Sequence, residues 1–247
     1  MAVTVPAAAA EDGRARMLEL FPEGFEEIDR GDIVELAGYV VGDGEDRLRA
    51  TFGEAVSEPV PDDWPDRWRS FHHGVRIGSL WVGPPWEPAP DGATAIVIDP
   101  GRAFGTGAHP TTRLSLELLQ SLERGSLVDV GCGSGVIAIA AAKLGFDVIA
   151  AVDVDPAAAE TASENAARNG VELPIRTADA LTSPLPAADV AVANIAFGAI
   201  AALAPRLSVG ALVASGYTTA DRPEPAGLRH VRRATADGWA ADLYRRV

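Results

Sequence analysis

The sequence predicts an α/β protein: a doubly wound, mostly parallel sheet preceded by a small α+β unit. Three observations support that expectation. From Ala95 onward apolar runs alternate strand, helix, strand, helix, which calls for a parallel sheet with helices on both faces. The run Leu127-Val-Asp-Val-Gly131-Cys-Gly133-Ser-Gly135 passes from a buried strand through a glycine turn straight into an apolar helix. Before residue 60, short period-2 and period-3.6 stretches follow one another as βαββαβ, the split-βαβ or ferredoxin-like pattern.

Along the chain, Val3–Val5 reads as a strand, Glu11–Leu20 as a helix, Gly24–Asp32 as a strand and turn, Ile33–Val41 as a strand, Asp46–Phe52 as a helix and Ala55–Val60 as a closing strand. Residues 1–60 are thus expected to form a first, small domain, followed by a connector over 61–94. Between Pro59 and Pro90 lie seven prolines and four of the five tryptophans, Trp64, Trp68, Trp81 and Trp86. That is too much proline for a regular domain and too much aromatic surface for a free linker, so the segment should pack on something. Residues 95–247 are expected to form the large domain, with strands at Leu127–Val130, Val148–Val152, Ile175–Thr177, Val190–Ala193 and Ala211–Ser215. A final pair, Leu228–Ala234 and Ala240–Arg246, is separated around Gly238-Trp239 and reads as an antiparallel hairpin rather than another crossover.

The 247 residues are 47% hydrophobic and 23% charged, enough apolar mass for a substantial core. Acidic residues number 35 against 21 basic, a net charge of −14 that disfavours nucleic acid and anionic membrane as partners. The excess is N-terminal: residues 1–66 hold 17 Asp and Glu against 5 Arg, a net of −12. This is either a solvated face or a surface complementary to a basic protein. Cys132 is the sole cysteine and has no internal disulfide partner, and the first basic residue is Arg14, so no basic leader is read; a cytoplasmic setting is expected. The apolar stretch Val190–Ala204 is broken by Asn194 and falls short of the roughly 20 residues of a membrane span.

The glycine turn brings backbone N–H groups of a helix start within reach of a ligand. A dinucleotide fingerprint reserves a glycine for the position held by Val136, whereas Gly131-x-Gly133-x-Gly135 suits S-adenosylmethionine, which presents an amino acid and no phosphate. Asp153 ends the second strand, where a carboxylate can accept both ribose hydroxyls. Asp155, followed by Pro156, reads as a helix cap. Asp179 is either an acceptor for an adenine amino group or a turn aspartate. Asn194, past the fourth strand, either projects toward the reacting end of the cofactor or caps the next helix. Upstream, Phe104-Gly105-Thr106-Gly107-Ala-His109-Pro-Thr111-Thr112 is either a lid over the ligand or a plain helix entry.

These residues together resemble the ribosomal protein L11 methyltransferase family: Asp99–Thr112, Asp129–Gly135, Asp153-Val-Asp155-Pro156, Ala193-Asn194-Ile195 and Ser215-Gly216-Tyr217 stand in its order and spacing. The Trp64–Trp86 segment resembles its connector, while the N-terminal unit is shorter than the family's. The resemblance implies a ferredoxin-like substrate-recognition domain and a seven-stranded class I methyltransferase (Rossmann-like) domain. It also implies S-adenosyl-L-methionine as methyl donor to lysine and N-terminal amines of a basic ribosomal protein, by a monomer. It places Phe104, Gly105, Thr106, Gly107 and Thr112 on the cofactor, with Asp129, Gly131 and Gly133 of the turn, and Asp153, Asp179 and Asn194.

Lysine has a pKa near 10.4 and must lose a proton before attack. No Ser/His/Asp set, Cys–His pair or metal-ligand cluster appears in the sequence, so no dedicated base is read, and desolvation of the amine is expected to help. Asn194, with the carbonyl of Ile195, is expected to accept amine hydrogens and aim the lone pair. Phe104, Phe197 and Tyr217 are either core or a face for the sulfonium. Other readings are a methyltransferase for another protein, such as the electron-transfer flavoprotein beta subunit, or for a small molecule, and a non-catalytic cofactor-binding module. A nicotinamide-dependent oxidoreductase would explain the turn and Asp153 but not the glycine spacing; it also lacks a tyrosine–lysine pair, since Lys143 is the sole lysine and lies in the first crossover helix.

Overall fold

The computed structural model describes residues 2–10, 13, 16, 17, 20, 26–38, 44–53, 73–99 and 107–247. The chain divides into two compact units, Met1–Trp68 and Arg69–Val247. In the first, β1 (Ala2–Pro6), β2 (Glu26–Asp29) and β3 (Ile33–Ala37) form an antiparallel sheet of order β1-β3-β2, and α1 spans Gly44–Phe52. Ala10, Gly13, Arg16, Met17 and Leu20 are helical at three- and four-residue spacing, which turns Met17 into a core with Val3, Val34, Leu36 and Leu48. The closing strand expected at Ala55–Val60 and the lid residues Phe104, Gly105 and Thr106 lie outside the described residues.

The second unit begins with a three-stranded sheet where the prolines suggest an irregular connector. β4 (Val75–Ile77) pairs antiparallel with β5 (Leu80–Gly83), which pairs parallel with β6 (Thr94–Val97). Pro84, Pro85, Pro88 and Pro90 fall in the β5–β6 connection, so no ladder loses a donor. Trp81 is buried across two glycines: a Cβ on Gly74 or Gly83 would come within 2.2 or 2.3 Å of its indole. Helix α2 (Pro110–Gln120) is tied to this sheet by Gln120, whose Oε1 accepts from Ser79 N and Oγ and whose Nε2 donates to the Ile77 carbonyl.

The large sheet has the order β12-β13-β11-β10-β7-β8-β9. Its strands are β7 (Ser126–Val130), β8 (Asp147–Asp153), β9 (Ile175–Thr177), β10 (Ala188–Asn194), β11 (Val209–Thr218), β12 (Leu228–Ala236) and β13 (Trp239–Arg246). Only β13 runs antiparallel to its neighbours. Alternation along β7 divides the core: Leu127 faces α2, α3 (Val136–Leu144) and α4 (Pro156–Arg168), while Val128 and Val130 face α5 (Phe197–Leu203). Four consecutive-strand crossovers and one terminal hairpin follow the sequence expectation; the hairpin turn, however, is Asp237-Gly238, both with positive φ (50° and 79°), and Trp239 already pairs with Ala236. Two left-handed residues are what a two-residue turn between twisted strands requires. Among the described residues no helix is long and apolar enough to cross a membrane.

At the far end of the hairpin Arg229 and Arg245 stand directly opposite one another. Like charges in that relation destabilise a sheet by a few tenths of a kcal/mol, up to about 1 kcal/mol. Arg229→Glu is therefore expected to raise the thermal midpoint by about 1–3 °C in low salt, an increment that 1 M salt erases.

Candidate active site

The site grows from the sheet's topology. β7 and β10 are neighbours, but the chain leaves β7 toward β8 on one side and returns to β10 from the other, so a crevice opens past their carboxyl ends. Gly131, Gly133 and Gly135 follow β7, all with positive φ (71°, 52° and 80°), which explains why glycine recurs at every second position there. The turn folds back onto β8: Gly131 N and Cys132 N donate to the Val152 carbonyl, and Gly133 N donates to Asp153 Oδ2 at 2.8 Å.

Asp129 is fully buried under this turn, on the α3 face. Its Oδ2 accepts from Ala138 N at 3.0 Å, so it satisfies a first-turn amide of a helix whose cap, Gly135, has no side chain. Its Oδ1 is buried with no hydrogen-bond partner among the described residues. Burial, opposed by the Ala138 bond and reinforced by the Asp153 charge, pushes the carboxyl up to about 7. Because the folded pKa is raised, ionising this group opposes folding progressively as pH rises from the ordinary carboxylate range to about 7. The thermal midpoint of Asp129→Asn, measured without ligand, is expected to gain on the wild type between pH 5 and pH 8; an unchanged difference across that range would remove this account.

Asp153 is half-buried at the end of β8, and its other oxygen accepts from Asp155 N at 3.0 Å. Asp155 caps α4 as the sequence suggests, accepting from Ala157 N at 2.9 Å, with Pro156 at the first helical position. Asp179 closes its own turn, its Oδ1 accepting from Leu181 N and its Oδ2 from the Thr182 hydroxyl, one residue past Ala178, whose N donates to the Asp153 carbonyl.

Asn194 is the last residue of β10, opposite Ser215 of β11. The helix-cap alternative does not hold: the N-cap of α5 is Ala196, with no side-chain capping bond. Instead Asn194 Nδ2 donates to Thr112 Oγ1 at 3.4 Å, and Oδ1 is buried without a partner among the described residues. Thr112 is itself fully buried in the first turn of α2, whose N-cap is His109: the imidazole Nδ1 accepts from Thr111 N. Burial and then Arg113 hold that imidazole below its usual pKa, in the neutral form that a capping acceptor requires. Gly107 is pressed on β5, where a Cβ would meet Val82 at 2.2 Å.

Thr112, Asp129, Gly131, Gly133, Asp153 and Asn194 thus form one contiguous cluster, bordered by Asp179. Beyond the carbonyl role expected of Ile195, the structure adds a packing role for this residue. A Cβ on Gly131 would come within 2.4 Å of its side chain and one on Gly216 within 2.2 Å of its carbonyl, so both glycines are pressed on the residue after Asn194. The Ser215-Gly216-Tyr217 run was the available signal.

An open sheet with one reversed strand, whose switch point holds a Gly-x-Gly-x-Gly turn and a strand-end carboxylate, defines a class I methyltransferase fold. The sequence profile of ribosomal protein L11 methyltransferase matches residues 33–220. The ribosomal protein L11 methyltransferase of Escherichia coli O81 (strain ED1a) is 38% identical over 231 residues, 87% of this chain and 73% of that protein. That of Shigella boydii serotype 18 is 40% identical over 210 residues, covering 79% and 68%. The crystal structure of a ribosomal protein L11 methylase from Lactobacillus delbrueckii subsp. bulgaricus superposes with a TM-score of 0.60 at 28% identity, over 70% of this chain and 98% of that one. The chain belongs to the ribosomal protein L11 methyltransferase family.

Proposed function

We propose that this chain transfers methyl groups from S-adenosyl-L-methionine to amines of a basic ribosomal protein of the L11 type, lysine side chains foremost. The observation behind this reading is the Asn194 amide: Oδ1 is buried and unpartnered among the described residues, at the switch point, with Nδ2 turned to Thr112. An acceptor left so costs about 1–3 kcal/mol, and a ligand bearing N–H groups would recover it.

The residues present fit the cofactor. Asp129 Oδ1 is a second orphaned acceptor, suited to a cationic amino group, and Asp153 keeps spare lone pairs on both oxygens for ribose hydroxyls. Gly131, Gly133 and Thr112 line the same crevice, and Asp179 would border the adenine. When bound, the cofactor supplies a methyl group on a positively charged sulfur for in-line transfer.

The chain's own task is to admit the amine, strip its hydration and aim its lone pair. An unmethylated amine that gives a hydrogen to Asn194 Oδ1 and another to the Ile195 carbonyl has its lone pair directed away from both. The Tyr217 phenol and the Cys132 thiol do not serve as bases: burial and then Asp242 push the phenol up, and burial and then Asp129 push the thiol up, out of reach at neutral pH. The proton is lost to water as the amine is desolvated. The net charge of −12 over residues 1–66 suits a basic substrate and disfavours direct nucleic-acid or membrane contact, in keeping with a cytoplasmic monomer.

Incubation with isotopically labelled S-adenosylmethionine and unmethylated ribosomal proteins tests this, with residue-level mass spectrometry of the labelled band. Label on lysine and N-terminal amines of an L11-type protein is expected. Label on a different protein would replace the substrate, and tight binding of a dinucleotide with none of S-adenosylmethionine would end the reading altogether.

A further inference from the structure

Among the described residues Phe197 is the exposed member of the Phe, Tyr and Trp set, 42% accessible and three positions beyond Asn194. A single exposed apolar side chain is ordinary on a protein surface. Its support is not. The Phe197 ring meets that of Tyr217 edge-on, centroids 6.0 Å apart at 71°, and Tyr217 is 2% exposed. The Tyr217 hydroxyl is 2.9 Å from both the Ala214 carbonyl and Asp242 Oδ2. Asp242, itself buried, also accepts two bonds from Arg233, at 2.9 and 2.8 Å, and one from His230 at 2.8 Å.

Two irregularities in the sheet bring these groups to one face. In β11 the register shifts between Ser215 and Tyr217, with Gly216 (φ 101°) as the extra residue, so Tyr217 lands on the face of Ala214 instead of alternating with it. In β12 it shifts between His230 and Arg232, so His230 and Arg233, three positions apart, both reach Asp242. Without either bulge Asp242 would lose a partner. The fold thus fixes an aromatic pair at the lip of the crevice from beneath, through a buried ion-paired network, while leaving the upper ring open.

We propose that Phe197 is the specificity-determining contact for the acceptor, its exposed ring receiving the aliphatic stem and ammonium of the amine, with Tyr217 as the positioning residue that braces it. This rests on the amine-methyltransferase reading above. A ring face attracts an alkylated ammonium through its quadrupole, and each added methyl group increases the apolar surface that the ring covers. Phe197 therefore acts most strongly on acceptors that already bear methyl groups, and governs how far methylation proceeds at one nitrogen.

The test uses the full chain with a basic peptide bearing one acceptor lysine, unmodified or dimethylated, and reads KM, kcat and methyl count by mass spectrometry. Phe197→Ala is expected to raise KM for the dimethylated peptide about tenfold, more than for the unmodified one, with products stopping at fewer methyl groups. Phe197→Leu restores apolar bulk without the ring and is expected to recover KM partly on the unmodified peptide and not on the dimethylated one. Tyr217→Phe, which keeps the ring and loses the hydroxyl, is expected to shift KM the same way by less. If both Phe197 variants treat the two peptides as the wild type does, the proposal is overturned while the amine reading stands. A wild type that binds S-adenosylmethionine yet methylates neither peptide nor any lysine of an L11-type protein overturns both.

Discussion

Asn194→Ala is expected to lower kcat for methyl transfer about a hundredfold, by more than it weakens S-adenosylmethionine binding, and to leave the unliganded protein at least as stable as the wild type. The combination follows from the state of the side chain. Oδ1 is buried without a partner among the described residues and Nδ2 makes one long bond, 3.4 Å, to Thr112 Oγ1, so truncation removes an unpaid desolvation cost rather than a strong interaction. A residue kept for stability would do the reverse and lower the melting temperature. Single-turnover methylation, calorimetric titration of the cofactor and thermal unfolding without ligand separate the two cases. Full turnover in the variant would mean that the amine is aimed by other groups. Thr112→Val, which keeps shape and loses the acceptor that orients the amide, is expected to show the same pattern at about a tenth of the size.

Much of this was legible in the sequence because local signals and tertiary structure agree. Ile175–Thr177 is read at its observed bounds, and the Gly131–Gly135 spacing states a conformational need that three positive φ angles meet. Asp155-Pro156 is a cap whose mechanism is complete within three residues. Legibility fails where partners are distant in the chain. β4, β5 and β6 are three or four residues long, too short for periodicity to stand out among prolines, and they exist because Trp81 covers Gly74 and Gly83 and because Gln120, some forty positions on, binds the β4–β5 turn. The hairpin strands run closer to their turn than the apolar pattern suggests, because Asp237 and Gly238, both left-handed, close it alone. Asn194 was open between cap and site because its decisive contact, Thr112, is 82 positions away. The Asp242 network was invisible: two single-residue bulges shift the strand register, and no periodic pattern encodes a bulge.

That network also bears on stability. Asp242→Ala is expected to lower stability by about 3–5 kcal/mol, or about 10 °C in thermal midpoint for a chain of this size, because it strands Arg233, 15% exposed, and the buried Tyr217 hydroxyl together. Burial alone would raise the Asp242 pKa, but the bonds from Arg233, His230 and Tyr217 outweigh it and hold the carboxyl below its usual range. The sign of the pH dependence follows: the stabilisation is present in full above the ordinary carboxylate pKa of about 3.9 and is lost as pH falls through the lower folded value. The gap between wild type and Asp242→Ala is therefore expected to be flat from pH 8 to pH 5 and to narrow only below pH 4. Arg233→Met combined with Asp242→Leu removes both charges and is expected to recover much of the lost stability without restoring the Tyr217 bond, so a variant that is stable again yet still impaired on methylated acceptors would separate the network's contribution to folding from its support of Phe197.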